Sequence, residues 1–113
     1  MGKIEKIEKY TKAGKVDKVV SLSRNDDKSV RLAAIAGLGK LAASEAALNA
    51  LVGMMGDSDA DIREAAVTAL GESEGSYVET QLSYCISHDK DPKVLDAAKR
   101  SLAKVREAKK NNG

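Results

Sequence analysis

The chain has few of the residues that usually fill β-sheet cores. It contains no tryptophan, no phenylalanine and only three tyrosines among 113 residues. Any core must therefore consist of alanine, leucine, valine, isoleucine and methionine, and small apolar side chains let helices approach one another closely. Proline, which interrupts helices, occurs only once. These absences favour an all-α fold.

A single cysteine, Cys85, and a single histidine, His88, limit the chemistry of the chain. One cysteine cannot form an internal disulfide, which is typical of a reducing compartment. A zinc site would need two or more carboxylates to complete it, and the nearby Asp89 and Asp91 fit a turn between helices instead. We expect a core cysteine and a solvated histidine near a helix C-terminus. The sequence predicts no catalytic residue, no cofactor and no metal site.

The charge of the chain is nearly balanced, with 19 basic and 17 acidic side chains and a net charge of +2. This balance does not by itself predict attraction to nucleic acid or to a membrane. No stretch reaches the roughly 18 apolar residues that span a membrane, and the first residues lack the apolar region of a signal peptide. We therefore expect a cytoplasmic protein with no membrane partner.

The strongest pattern is an internal repeat with a period of 32 residues. Three copies align without a gap. Each copy begins with an aspartate and contains an Ala-Ala pair. The other shared positions are aliphatic. The aligned residues are Asp27, Asp59 and Asp91, then Val30, Ile62 and Val94, and finally Leu38, Leu70 and Leu102.

Each copy has the features of an amphipathic helix that follows another helix. The leading aspartate is a good N-cap, because its carboxylate accepts hydrogen bonds from the N–H groups of the first turn. Apolar residues then recur at spacings of three and four, and Gly39 and Gly71 stand where a left-handed C-terminal residue is expected. The preceding helices are predicted at about 15–24, 45–56 and 77–88, and one more at about 3–12.

These elements together predict an all-α fold, a right-handed α-solenoid (an α/α superhelix) of about seven helices. We expect a single domain over residues 1–113, in which three helix-pair repeats follow an N-terminal capping helix and a frayed tail ends the chain. The predicted boundaries are 1–14 for the capping helix, 15–39, 45–71 and 77–109 for the repeats, and 110–113 for the tail.

The pattern Asp-x-x-Val-Arg-x-Ala-Ala-x-x-Ala-Leu-Gly resembles the second helix of a HEAT-like repeat, of the short kind found in bilin-lyase-related proteins. The resemblance covers about residues 15–103. It implies that aspartates and arginines of successive repeats form a ladder, with each arginine reaching the acidic turn of an adjacent repeat. The ladder residues carried over by position, with Asp57 added as a possible partner, are Asp27, Arg31, Asp57, Asp59, Arg63 and Asp91.

The resemblance also implies that the second helices line a concave face. The side chains opposite the buried stripe grade from apolar in the first repeat to charged in the third. The neighbouring Leu32 and Ile35 either mark a partner site or lie beneath the N-terminal helix, and the sequence leaves both possibilities open. The predicted partner-binding residues are Leu32, Ile35, Ala36, Glu64, Val67, Thr68, Asp96, Lys99 and Arg100.

The predicted function is a non-catalytic protein–protein interaction or scaffold module whose partner is another protein. The resemblance implies one alternative, a bilin-lyase-like accessory protein that handles a tetrapyrrole or its acceptor protein. Lysines at every third residue from Lys3 to Lys18 suggest a second alternative, weak nucleic-acid binding. Because glutamates are interleaved with these lysines, a solvated cap is the favoured interpretation. A monomer and a weak homodimer both fit the sequence.

Overall fold

The computed structural model describes residues 2–112, and these residues form seven α-helices joined by short turns, without a strand. The predicted all-α class and the number of helices are confirmed. Helical backbone continues to Asn112, into the segment predicted as a frayed tail, while Met1 and Gly113 lie outside the described residues. The helices are α1 (Lys3–Lys12), α2 (Val16–Leu22), α3 (Lys28–Lys40), α4 (Glu45–Met54), α5 (Ala60–Leu70), α6 (Ser76–His88) and α7 (Pro92–Asn112).

The starts of α3, α5 and α7 are set by two consecutive side-chain caps that recur in every repeat. The leading aspartate accepts a hydrogen bond from the backbone N–H two residues later, at 2.9 Å in each case. Its own N–H donates to another Asp or Asn side chain two residues earlier, at 2.8–3.0 Å. These caps satisfy N–H groups that a helix start leaves unpaired. The capping pairs are Asn25 and Asp27, Asp57 and Asp59, and Asp89 and Asp91.

The helices pack in two layers. The second-helix layer consists of α1, α3, α5 and α7 side by side, and the first-helix layer consists of α2, α4 and α6. The molecule is 39 × 32 × 17 Å, and the smallest dimension fits two layers of helices whose axes lie about 8–10 Å apart. The repeats therefore stack into an α-solenoid, in which one layer is built from the second helix of each pair.

Neighbouring helices of the second-helix layer cross at equivalent positions in successive repeats. A Cβ atom built on Gly39 would lie 3.1 Å from Cβ of Ala69, and one built on Gly71 would lie 2.8 Å from Oγ of Ser101. The predicted left-handed conformation of these two glycines is wrong, since Gly39 lies inside α3 and Gly71 has a φ of −64°. They lack a side chain because the next helix contacts their backbone.

Helix α1 belongs to the same series of crossings. Ile7 stands 32 residues before Gly39, and Gly37 stands 32 residues before Ala69. A Cβ atom on Gly37 would lie 3.4 Å from Cγ2 of Ile7, so this pair repeats the contact between Gly39 and Ala69. Ile7 is buried by the contact. Helix α1 therefore extends the array by half a repeat and does not lie across the faces of the other helices.

Two residues that the sequence predicted on the partner-binding face are part of the core. Ile35 and Val67 are both 0% exposed, whereas Lys99, at the same position of the third repeat, is exposed. The position is apolar and buried in the first and second repeats, each of which is followed by another repeat within residues 2–112. We infer that it faces the following repeat. The prediction that Ile35 and Val67 bind a partner was therefore wrong. The third repeat therefore differs from the first two at this position, where it has an exposed lysine in place of a buried apolar residue.

An Ile35→Ala substitution is expected to lower the free energy of unfolding by about 2–5 kcal/mol, because it leaves a cavity in a closed core. Lys99→Ala, at the same repeat position, is the matched control and should change the stability by less than about 0.5 kcal/mol. Urea denaturation of the three proteins measures both values. Equal and small effects of the two substitutions would contradict the burial of this position between repeats.

Candidate functional site

An arginine links each of the first two repeats to the acidic turn of the repeat that follows. Arg63 donates from Nε to Oδ2 of Asp89 at 2.8 Å and from Nη2 to Oδ1 at 3.3 Å. Arg31 makes the equivalent contact one repeat earlier, from Nη2 to Oδ2 of Asp57 at 3.1 Å. Asp89 was absent from the predicted ladder, although it stands one period after Asp57. The three leading aspartates cap helices and do not pair with these arginines.

The contact between Arg63 and Asp89 is the more enclosed of the two. Only 9% of the Asp89 side chain is exposed, compared with 26% for Asp57. Burial acts to raise the pKa of Asp89, but hydrogen bonds from Arg63 and from the N–H of Asp91 outweigh it and hold the pKa below its ordinary value. The same bond raises the pKa of Arg63. Both groups therefore stay charged, and the pair fastens α5 to the turn before α7.

A second set of ion pairs joins the N-terminal ends of α3, α5 and α7. Lys28 Nζ lies 2.6 Å from Oδ2 of Asp61 and 2.8 Å from Oδ2 of Asp59, and Lys93 bonds to the other oxygen of Asp61. Hydrogen bonds from Lys28 and Lys93 lower the pKa of Asp61 to about 2. The sequence did not reveal this cluster, because Lys28 and Lys93 occupy different positions of the repeat.

Two open grooves run along the solvent-facing side of the second-helix layer. The groove between α1 and α3 has a volume of about 460 Å³, and the groove between α3 and α5 about 470 Å³. Both contain Ala36 and Lys40, so together they form one surface, which we call the α1–α3–α5 trough. Its apolar residues are Ile4, Ile7, Leu32, Ala33, Ala36, Ala65 and Ala69, and its polar residues include Lys40, Glu64, Thr68 and Glu72.

The structure divides the nine predicted partner-binding residues into three groups. Leu32, Ala36, Glu64 and Thr68 line the trough. Ile35 and Val67 are buried. The last three, Asp96, Lys99 and Arg100, lie exposed on α7. Asp96 and Arg100 form an ion pair at 2.6 Å.

Sequence reasoning missed several residues of the trough, most clearly Ile4, which is 51% exposed. Ile4 stands one period before Ala36, so extending the repeat register into α1 would have found it. Lys40 and Glu72 are also one period apart, in the last turn of α3 and just after α5. The predicted partner-binding residues on α3 and α5 ended at Ala36 and Thr68, so Lys40 and Glu72 were not among them.

Cys85 and His88 lie on α6 and make local contacts. Cys85 is 5% exposed, and burial raises the pKa of its thiol. His88 is exposed, its Nδ1 lies 2.9 Å from the carbonyl oxygen of Tyr84, and its ring stacks on the Tyr84 ring at 3.8 Å. Within residues 2–112, no three His, Cys, Asp or Glu side chains cluster so that they could hold a metal ion. None of the helices in this part of the chain has the length and apolar character that crossing a membrane requires.

The family model for HEAT repeats matches residues 16–103, from the start of α2 into α7. The chain belongs to the HEAT repeat family. A comparison with the curated proteins finds no match. The HEAT repeat match ends within the last helix and leaves out α1, which nevertheless packs as a second helix. The more specific resemblance to bilin-lyase-related proteins stays a prediction.

An Arg63→Leu substitution is expected to lower the free energy of unfolding by about 1–3 kcal/mol, because the largely buried Asp89 carboxylate loses its charged partner. Arg31→Leu should cost less, since the pair it breaks is more exposed and has one hydrogen bond. Thermal and urea unfolding measure both changes. A larger loss for Arg31→Leu than for Arg63→Leu would contradict this ranking.

The low pKa of Asp61 predicts a specific acid sensitivity. A carboxylate whose folded pKa is about 2, below its ordinary value of about 3.9, contributes stability above about pH 4. That contribution is lost as the pH falls towards 2. In denaturation series from pH 7 to pH 2, Asp61→Asn should therefore be less stable than the wild type at pH 7, and the difference should shrink below pH 4. The double variant Lys28→Gln/Lys93→Gln should behave likewise, and a difference independent of pH would contradict the assignment.

Proposed function

We propose that the chain is a non-catalytic scaffold module that binds a segment of another protein in the α1–α3–α5 trough. HEAT repeats generally mediate protein–protein interaction or scaffolding. The observation that carries the proposal is the apolar floor of the trough, which includes the exposed Ile4 and Ala36. Exposed apolar side chains gathered in a groove and bordered by charges are typical of interaction sites.

The small residues of the floor decide how closely a partner can approach. Ala33, Ala36 and Ala65 project only a methyl group from α3 and α5. A helix or an extended segment can therefore come near the helix backbones, because the distance between packed helices depends on the side chains at the contact. Leu32, which is half-buried, adds a larger apolar contact at the N-terminal side of the groove.

The charges at the border of the trough would orient the partner. Among residues 2–112, the side chains of Lys40 and Glu64 make no direct ion pair, although the charge of Glu64 contributes to raising the pKa of Lys93. Both side chains can therefore contact charges on a bound segment. They stand on different helices, Lys40 in the last turn of α3 and Glu64 in the first half of α5. Opposite charges at separate ends of an apolar groove favour one orientation of the partner.

The oligomeric state that fits this function best is a monomer that presents one trough. At the third repeat, the position of the buried Ile35 and Val67 is taken by the exposed Lys99. A charge at this position makes stacking of a second copy on that end costly, since the lysine would have to be desolvated. The bilin-lyase-like role, the weak nucleic-acid role and the cytoplasmic location stay predictions from the sequence.

Ala36→Glu tests the proposal, because Ala36 is exposed, lies in both grooves and stands in a helix that tolerates glutamate. A partner is first isolated from the native cell with the wild-type chain and then purified, and its affinity for each variant is measured by calorimetry. We expect Ala36→Glu to weaken binding by about tenfold or more. Ala46→Glu, at an exposed alanine of α4 in the first-helix layer, is the control and should bind like the wild type. Equal affinity of both variants would place the partner outside the trough.

A further inference from the structure

A polar cleft of about 490 Å³ opens between the ends of α2 and α4, on the other layer of the molecule from the trough. Two arginines, Arg24 and Arg31, line it together with the side-chain amides of Asn25 and Asn49. We propose that this cleft binds a small molecule through an oxyanion, a carboxylate or a phosphate group, held by Arg24 and Arg31.

The equivalent arginine of the next repeat shows what Arg31 leaves unused. The Arg63 guanidinium donates four hydrogen bonds, two to Asp89 and two to the carbonyl oxygens of Asp57 and Ser58. The Arg31 guanidinium donates one, to Asp57, among residues 2–112. A guanidinium has five N–H donors in a fixed planar arrangement, so most of the Arg31 donors make no hydrogen bond within the described chain.

Arg24 supplies a second guanidinium that the next repeat lacks. The residue one period later is Gly56. Arg24 is exposed, and its side chain makes no ion pair or hydrogen bond to the rest of the described chain. Because Arg24 and Arg31 line the same cleft, both can contact one ligand, and the second repeat has no such pair, since Gly56 stands at the position of Arg24.

The acidic residues near the cleft do not cancel this excess of donors. Both oxygens of Asp57 are engaged, Oδ1 by the N–H of Asp59 and Oδ2 by Arg31. Asn25 replaces the aspartate found at the same position of the later repeats, and its oxygen accepts from the N–H of Asp27, which leaves its NH₂ group as a donor. Asp26 also lines the cleft and is exposed, as Arg24 is, so solvent screens both charges alike. Of the two, only Arg24 supplies hydrogen-bond donors to an oxyanion.

The chemistry of these groups selects the ligand class. The planar guanidinium matches the geometry of carboxylates and phosphates and binds them with paired, charge-assisted hydrogen bonds. The volume of about 490 Å³ lies in the range of small-molecule sites and exceeds what a bare anion would occupy. The ligand is therefore a small organic molecule that carries the oxyanion, and its remaining atoms contact Asn49 and the neighbouring Ala50 and Met54.

A titration of the full chain with two probe anions tests the proposal. Inorganic phosphate and succinate are added separately at constant ionic strength, and amide chemical shifts are followed by two-dimensional NMR. We expect saturable shifts confined to residues 23–26, 31 and 49–57. The two arms identify the preferred oxyanion, since a response to phosphate alone indicates a phosphate ligand and a response to succinate alone indicates a carboxylate.

Two substitutions copied from the next repeat provide variants that should keep the fold. Arg24→Gly removes one guanidinium and introduces the residue that stands at this position in the second repeat, Gly56. Asn25→Asp adds a carboxylate to the cleft, and the later repeats already have a capping aspartate at this position, Asp57 and Asp89. Both should weaken anion binding by about tenfold or more, while Arg106→Gln, which removes an exposed arginine on α7, should not.

The absence of a saturable shift with both anions would overturn the proposal. Equal binding by wild type, Arg24→Gly and Asn25→Asp would also overturn it, because the anion would then bind elsewhere. Unfolding curves of each variant confirm that the comparison is between folded proteins. The trough is not involved in this test, so its outcome is independent of the proposed scaffold function.

Discussion

The contact between the backbones of neighbouring second helices is the constraint on which the other features depend. At Gly39 and Gly71 the next helix comes so close that a Cβ atom would lie 3.1 Å and 2.8 Å from Ala69 and Ser101 atoms. Because the crossing returns every 32 residues, the helices of this layer keep a regular spacing. The grooves between them, and therefore the trough, follow from that spacing.

Polar contacts at the turns fix how each helix pair is oriented relative to the next. The double caps before α3, α5 and α7 hold the three turns in one conformation. Arg31 and Arg63 then tie their helices to the turn of the following repeat. In a solenoid each repeat contacts only its neighbours, so stability is roughly a sum of such local terms. The ladder thus carries the regular geometry from one repeat to the next.

The candidate binding surfaces arise where the chain departs from its own repeat. Ala36 and Thr68 occupy one position, and Leu32 and Glu64 another, so one side of the trough is more apolar than the other. Arg24 and Asn25 stand where the second repeat has Gly56 and Asp57, so the donors that these two residues bring to the cleft have no counterpart in the second repeat. A repeat architecture allows such changes, because exposed positions can vary while the seams between repeats keep their small and apolar residues.

The period of 32 residues was sufficient to predict the all-α class, the seven helices and the N-caps, because capping and helical periodicity are local properties of the chain. Which side of each helix meets a neighbour was decided only by the tertiary structure. Ile35 lies opposite the predicted buried stripe of α3, yet it is 0% exposed, whereas Lys99, at the same position of the third repeat, is exposed. Asp61 pairs with lysines from two other repeats. Such contacts depend on how repeats stack, and a pattern within one helix carries no information about its neighbours.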